Sequence, residues 1–192
     1  MDTKPLIIDI ATKLFQQKGY IGVGLNEILK ECGISKGSLY YHFPNGKEEL
    51  LIACLQSLNE AIMKDITEIF EEYSTTNEAT YAMIEKLIAN YETEGTLTGY
   101  TFSSIVSEMA SLSDSVRNAC AKLYSEIQTI YFQKLVADGF SNNEASSNAL
   151  IMTLSIEGGM LLCLIQKAKE PLQVIAQVLP QILKTRRFKT SE

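Results

Sequence analysis

The chain is poor in the residues that most sites of chemistry need. A single histidine, His42, stands among 192 residues. That excludes any metal site built from several histidines. A Ser-His-Asp triad would have to use this one residue. No Gly-rich phosphate loop of either standard pattern occurs, nor a G-x-S-x-G nucleophile elbow. Adjacent Glu71 and Glu72 cannot converge from one helix. No catalytic set, cofactor site or metal site is expected. Proline is scarce, with four residues, and no alternating strand run of any length appears, so the expected class is all-α. The cysteines, Cys32, Cys54, Cys120 and Cys163, form no C-x-x-C pair. They read as buried free thiols in a reducing compartment. No secretory leader is expected, since Asp2 and Lys4 lead straight into an amphipathic stretch, and the longest apolar run, near Met160 to Ile165, is far short of the ~20 residues of a membrane span. The expectation is a cytoplasmic protein without a membrane partner.

The hydrophobic share is 46%, enough for an ordinary globular core. The formal net charge is -6, and it is unevenly spread. In the first fifty residues Lys4, Lys13, Lys18, Lys30, Lys36 and Lys47 balance Asp2, Asp9, Glu27, Glu31, Glu48 and Glu49. The remainder carries the whole negative charge. A neutral N-terminal module whose lysines can cluster is thus joined to an acidic body, which repulsion would hold away from phosphates.

Helical periodicity accounts for nearly all of the chain, in about nine helices. Leu6, Ile7, Ile10, Ala11, Leu14 and Phe15 mark the first, closed by Gly19. Leu25, Ile28 and Leu29 mark a second, ended by Gly33. Ser35 caps a third, with Leu39 and Phe43 inward. After the turn Pro44-Asn45-Gly46 a long helix runs from about 47 to 73. Others are expected at about 78–92, 102–110 and 114–138. Ser141-Asn142-Asn143-Glu144 has capping-box spacing and opens one to about 169. Pro171 begins the last, to about 187. The expected division is a domain at 1–46 and a second at 47–192.

The segment from Gly19 to Leu50 carries the function. Gly33 permits a tight turn between two short helices. Ser35, Lys36, Gly37 and Ser38 are small or basic where the second of them would meet a surface. Tyr40, Tyr41 and His42 add hydroxyls and ring nitrogens. Lys47 stands at the positive end of a helix dipole and suits a phosphate. This is how a helix-turn-helix presents a recognition helix to the major groove of duplex DNA. Plainer readings stay open: one tyrosine can be partly core, His42 a surface or capping residue, and Lys36 a solvated lysine.

Gly33-Ile34-Ser35-Lys36-Gly37-Ser38-Leu39-Tyr40-Tyr41-His42-Phe43, followed by Lys47-Glu48-Glu49-Leu50, resembles the signature of the TetR family of bacterial transcriptional repressors. The likeness covers about residues 5 to 52. Gly24 and Leu25 stand where most members have Thr, which leaves Asn26 to take over a phosphate contact. The turn at residues 44 to 46 is one residue longer than usual. Both departures resemble the branch of the lincomycin-resistance repressor LmrA, whose effectors are drugs or planar aromatic compounds. The resemblance implies a homodimer joined through its last two long helices, a pseudo-palindromic operator in double-stranded DNA, and release by a small hydrophobic or planar aromatic effector. Ala149, Leu150, Met152, Thr153, Ile156, Gly159, Met160 and Cys163, with Ile175, Val178, Leu179 and Ile182, are the faces that would pair, unless they are the monomer's own core. Tyr91, Tyr100, Phe102, Met109, Tyr131, Phe132 and Met160 are candidate pocket residues, although each singly also suits plain core packing. An activator or co-regulator with the same module is the alternative, followed by a helical small-molecule-binding protein or enzyme.

Overall fold

In the computed structural model, residues 3–95, 97 and 113–183 are described. Among them eight helices and no strand occur. They are α1 (Thr3–Gly22), α2 (Leu25–Cys32), α3 (Lys36–His42), α4 (Lys47–Glu72), α5 (Thr76–Glu94), α6 (Asp114–Ala137), α7 (Asn142–Gln166) and α8 (Glu170–Ile182). The all-α expectation is met. The further helix expected at 102–110 lies outside the described residues.

Local chemistry sets most boundaries. At Gly19 the backbone turns to φ 70°, ψ 168°, which breaks the α1 ladder, and a last helical turn then reaches Gly22. Gly33 closes α2 in the left-handed region at φ 63°, and its N–H is accepted by the Leu29 and Lys30 carbonyls. A residue with a Cβ would be strained there. Ser35 caps α3 by accepting from Ser38 N at 3.2 Å. Two capping boxes, Thr75 with Glu78 and Ser141 with Glu144, open α5 and α7. The second sits where the sequence places it. The first starts α5 two residues earlier than expected, because Thr75 is the cap and Glu78 its reciprocal partner. Lys167, at φ 53°, ends α7 three residues short of the expected 169.

The described residues form two compact units. One takes those within 1–62 and 98–123, the other those within 63–97 and 124–192. In the first, Ile7, Ala11 and Phe15 of α1 are buried, as are Ile28, Leu39, Phe43, Leu50 and Leu51. The Cys54 thiol reaches the Ile8 carbonyl at 3.6 Å, tying α4 to α1. In the second, α8 packs on α5 and α7. Tyr91 of α5 donates to the Cys163 carbonyl of α7 at 3.1 Å. The Asp138 carboxylate accepts from Thr76 N at 2.7 Å, at the first turn of α5. Gly159 lets the α7–α8 crossing close: a Cβ there would meet Leu172 Cδ2 at 3.0 Å. A Cβ at Gly158 would meet no neighbouring element of the chain within 4 Å. Of these two adjacent glycines, Gly159 is the one the α7–α8 crossing needs.

Candidate nucleic-acid interface

The third helix is short, and its orientation is fixed by two side chains. Leu39 and Phe43 are each 1% exposed and anchor it in the first unit's core. Helical spacing then turns the opposite face outward. Tyr41 is 81% exposed and Tyr40 37%. Lys36 and Gly37 are exposed, while Ser38 and His42 are half-buried. Asn26, in the first turn of α2, is exposed as well. Of the expected DNA-contact residues, Asn26, Lys36, Gly37, Tyr40 and Tyr41 thus offer the most surface. Ser35 is exposed too, with its hydroxyl engaged as the cap.

The two tyrosines differ in the way the sequence left open. Tyr41 projects into solvent, in a T-shaped contact with His42 at 5.0 Å between centroids. The Tyr40 ring lies against Gly46, where an added Cβ would stand 3.6 Å from Cε1. Gly46 itself has φ 75°. The long turn at residues 44 to 46 is thus also a rest for a recognition-helix side chain, and no β-carbon intrudes. Glu49 closes the turn by accepting from Asn45 N at 2.8 Å. The Lys36 ammonium lies 5.8 Å from the centre of the Tyr40 ring.

Lys47 has a more constrained setting than its position in the sequence implies. Its ammonium donates to the Tyr20 carbonyl and lies 4.0 Å from the Tyr20 ring centre. A cation at a helix N-terminus opposes the macrodipole, and these acceptors offset that. Lys47 also holds the end of α1 to the start of α4. Beside it, Glu48 accepts from Ser113 Oγ at 2.6 Å, and the same hydroxyl accepts from Val116 N at 3.2 Å at the head of α6. Burial, and then the charge of Glu48, raise the Tyr20 phenol above its ordinary range. Lys18 and Glu27 pair across α1 and α2. Their mutual bond raises the lysine's pKa and lowers the carboxylate's. Ser113 was not legible as part of this surface, because it joins Glu48 from a distant stretch of chain; Tyr20 and Gly46 lie within the segment that carries the function, but their contacts with Lys47 and Tyr40 form only on folding.

Two family models match the sequence. Residues 7–54 match that of bacterial regulatory proteins, tetR family. Residues 76–178 match the C-terminal domain of LmrA/YxaF-like transcriptional regulators. The HTH-type transcriptional regulator LmrA of Bacillus subtilis is 36% identical over 183 residues, spanning 95% of this chain and 97% of its own. The chain belongs to the TetR family. It is a helix-turn-helix transcriptional regulator. Another member, IcaR of Staphylococcus aureus, a negative transcriptional regulator of the biofilm operon icaADBC, is 32% identical over 72% of this chain and 76% of its own. The crystal structure of reduced E. coli NemR superposes with a TM-score of 0.86 at 25% identity, over 96% of this chain and 99% of that one.

Set against this TetR fold, the other expected residues divide. Tyr131 is buried, 5.1 Å from Phe70 between ring centres, and its hydroxyl meets Met83 Sδ at 3.5 Å. Met160 is buried on α7, and Tyr91 and Phe132 are half-buried. Tyr100, Phe102 and Met109 lie outside the described residues. On α7 the expected pairing face needs correcting. Ala149, Met152, Thr153, Ile156, Gly159, Met160 and Cys163 are buried within one chain. They are core, as is Leu179 on α8. The apolar residues left outside are Leu150, Leu154, Leu161, Leu162 and Ile165 on α7, with Val174, Val178 and Ile182 on α8. An open groove of about 480 Å³ runs among them, lined by Leu154, Gly158, Leu162 and Val174. By length and composition α7 is apolar enough to cross a membrane. Its apolar residues are divided between the core and this exposed face.

Proposed function

We propose that the protein is a homodimeric repressor that reads a pseudo-palindromic operator with one α3 per half-site. A small hydrophobic or planar aromatic effector releases it. The observation that carries the reading is the orientation of α3: Leu39 and Phe43 go inward, Lys36, Gly37, Tyr40 and Tyr41 outward. Ser35, Ser38, His42, Asn26 and Lys47 complete the proposed contact set. Tyr41, the most exposed, is suited to base edges. Lys36, Lys47 and Asn26 are suited to phosphates. Such a reader works in the cytoplasm, at the chromosome, and needs no catalysis.

Dimerisation is proposed through the exposed apolar residues of α7 and α8. A soluble monomer rarely leaves so contiguous a face uncovered, and two-fold pairing of identical helices covers it. The proposed division of labour is DNA reading by residues 1–46 and effector binding and pairing by 47–192. The effector pocket is proposed to draw on Tyr91, Tyr131, Phe132 and Met160, joined by Tyr100, Phe102 and Met109. To release DNA, the effector must prefer the DNA-incompetent state. A full switch from one state to the other requires a preference of about 10⁴-fold. Fluorescence-anisotropy titration of upstream DNA tests the reading. Salt-sensitive binding should be lost in the Lys36→Ala/Tyr41→Ala double variant while its unfolding midpoint holds. Equal affinity of variant and wild type would refute the contact set.

A further inference from the structure

We propose that Ser113 is a positioning residue for DNA reading: through Glu48 it fixes the head of α4, against which the recognition helix rests. The proposal rests on the reading of α3 as the DNA-binding helix. It starts from the bonds of one buried hydroxyl. Ser113 is 7% exposed. Its hydroxyl donates to Glu48 Oε1 at 2.6 Å and accepts from Val116 N at 3.2 Å. The second bond caps α6, whose first turn includes Val116. With its proton committed to a carboxylate, the oxygen is a better acceptor for that N–H, so each bond strengthens the other. The Glu48 carboxylate stands in the first turn of α4 and is bonded to the cap of α6. It thus meets the positive ends of two helix dipoles at once. Both residues belong to the first compact unit.

The head of α4 is where the recognition helix is braced. Gly46 N donates to the Phe43 carbonyl at 2.9 Å, and the Gly46 carbonyl accepts from Leu50 N at 3.1 Å. Gly46 therefore joins the end of α3 to the hydrogen-bond ladder of α4. Tyr40 rests its ring on that same glycine. Glu49, one residue beyond Glu48, holds Asn45 N at 2.8 Å. Lys47, one residue before it, holds the Tyr20 carbonyl near the end of α1. Glu48 lies between these two grips, and its side chain reaches α6. A displacement of Glu48 would carry the neighbouring contacts with it. The bond to Ser113 thus sets where the α4 head sits, and so how Tyr40 and Tyr41 meet a base edge. A contact surface needs such support behind it, because small misplacements cost specificity. From its cap α6 continues to Ala137 and includes Tyr131 of the proposed effector site. A helix that carries an effector-site residue is thus bonded at its head to the helix that braces α3.

Discrimination between duplexes separates positioning from packing. Affinity is measured for a duplex selected from a random pool and for a scrambled duplex, and the ratio of the two is the readout. A change of charge near phosphates shifts both affinities alike and leaves the ratio in place. Ser113→Ala should lower the ratio by about 3–30-fold, while urea unfolding shows a folded protein. Ser113→Thr, which keeps the hydroxyl, should restore it. Glu48 is exposed, so Glu48→Ala breaks the same link without opening a buried site. It should lower the ratio as Ser113→Ala does, and the double variant should lower it no further, because the two residues act as one link. A wild-type ratio in Ser113→Ala or in Glu48→Ala would overturn the proposal. So would additive losses in the double variant, which would make Ser113 a cap for α6 alone. Failure of the wild type to enrich any duplex would overturn the DNA reading itself, and the role of Ser113 with it.

Discussion

Two surfaces of this chain face outward for opposite reasons. On α3 the outward residues are Lys36, Gly37, Tyr40 and Tyr41; on α7 and α8 they are Leu154, Leu161, Ile165, Val174 and Val178. The first is a polar, hydrogen-bonding face on a helix of seven residues held by two buried anchors. The second is an apolar face on a helix of twenty-five. Water tolerates the first, and a ligand with its own charges can replace that water contact by contact. Water penalises the second in proportion to area, so it calls for a cover that is equally apolar. The composition of each outward face therefore matches the partner proposed for it: a phosphate-lined groove for one, a second copy for the other.

The largest effect is expected where the second surface supports the first. Leu154→Asp with Ile165→Asp places charges on side chains now 63% and 66% exposed. The monomer fold should survive, but pairing should not, and linked binding of two half-sites should weaken by about 10²–10⁴-fold. Sedimentation beside an operator titration reads both quantities; a dimer that persists would move the interface elsewhere. A smaller loss is expected from Phe43→Ala, which empties a site that is 1% exposed at about 3–5 kcal/mol. Urea unfolding should report it, whereas Tyr41→Ala should leave the midpoint in place and cost only affinity. Equal stability losses in the two would erase the distinction between anchor and reader.

Smaller effects sharpen the glycine and thiol contrasts. Gly158→Ala should raise helix stability by up to about 1 kcal/mol, because no neighbouring element of the chain lies within 4 Å of its Cβ position. If the copies pair closely there, dimer affinity should fall as monomer stability rises. Gly159→Ala should not stabilise, since Leu172 stands at 3.0 Å. Burial pushes the Cys54 thiol up to about 12 from an ordinary 9.0, and that of Cys120 to about 11. The folded state holds these protons more tightly than the unfolded one. Their contribution is complete below pH 9 and declines as pH rises toward the folded values, by at most about 1.4 kcal/mol per unit for each thiol. Stability that falls above pH 9, with thiols slow to react at pH 7.5, is the expected result of an alkaline unfolding series with thiol labelling.

What the sequence made legible followed from local rules. Gly33, Ser35 and the Ser141–Glu144 box act within a few residues of themselves, and the structure places them as read. The inward pair Leu39 and Phe43 followed from period alone. Most of the α7 residues expected to pair are instead buried in the chain's own core, for a physical reason. That helix is apolar on two sides, and periodicity finds apolar faces without telling which of them meets the chain's own core. Tyr40 against Gly46, Lys47 against Tyr20, and Glu48 against Ser113 were not legible, since each joins residues that only folding brings together.

The central claim is that α3 reads DNA in symmetric pairs. Selection of bound duplexes from a random pool tests it most directly. The expected result is an enriched motif with two inverted half-sites, lost when Leu154→Asp/Ile165→Asp separates the copies. An asymmetric motif, or no enrichment by the wild type, would contradict it.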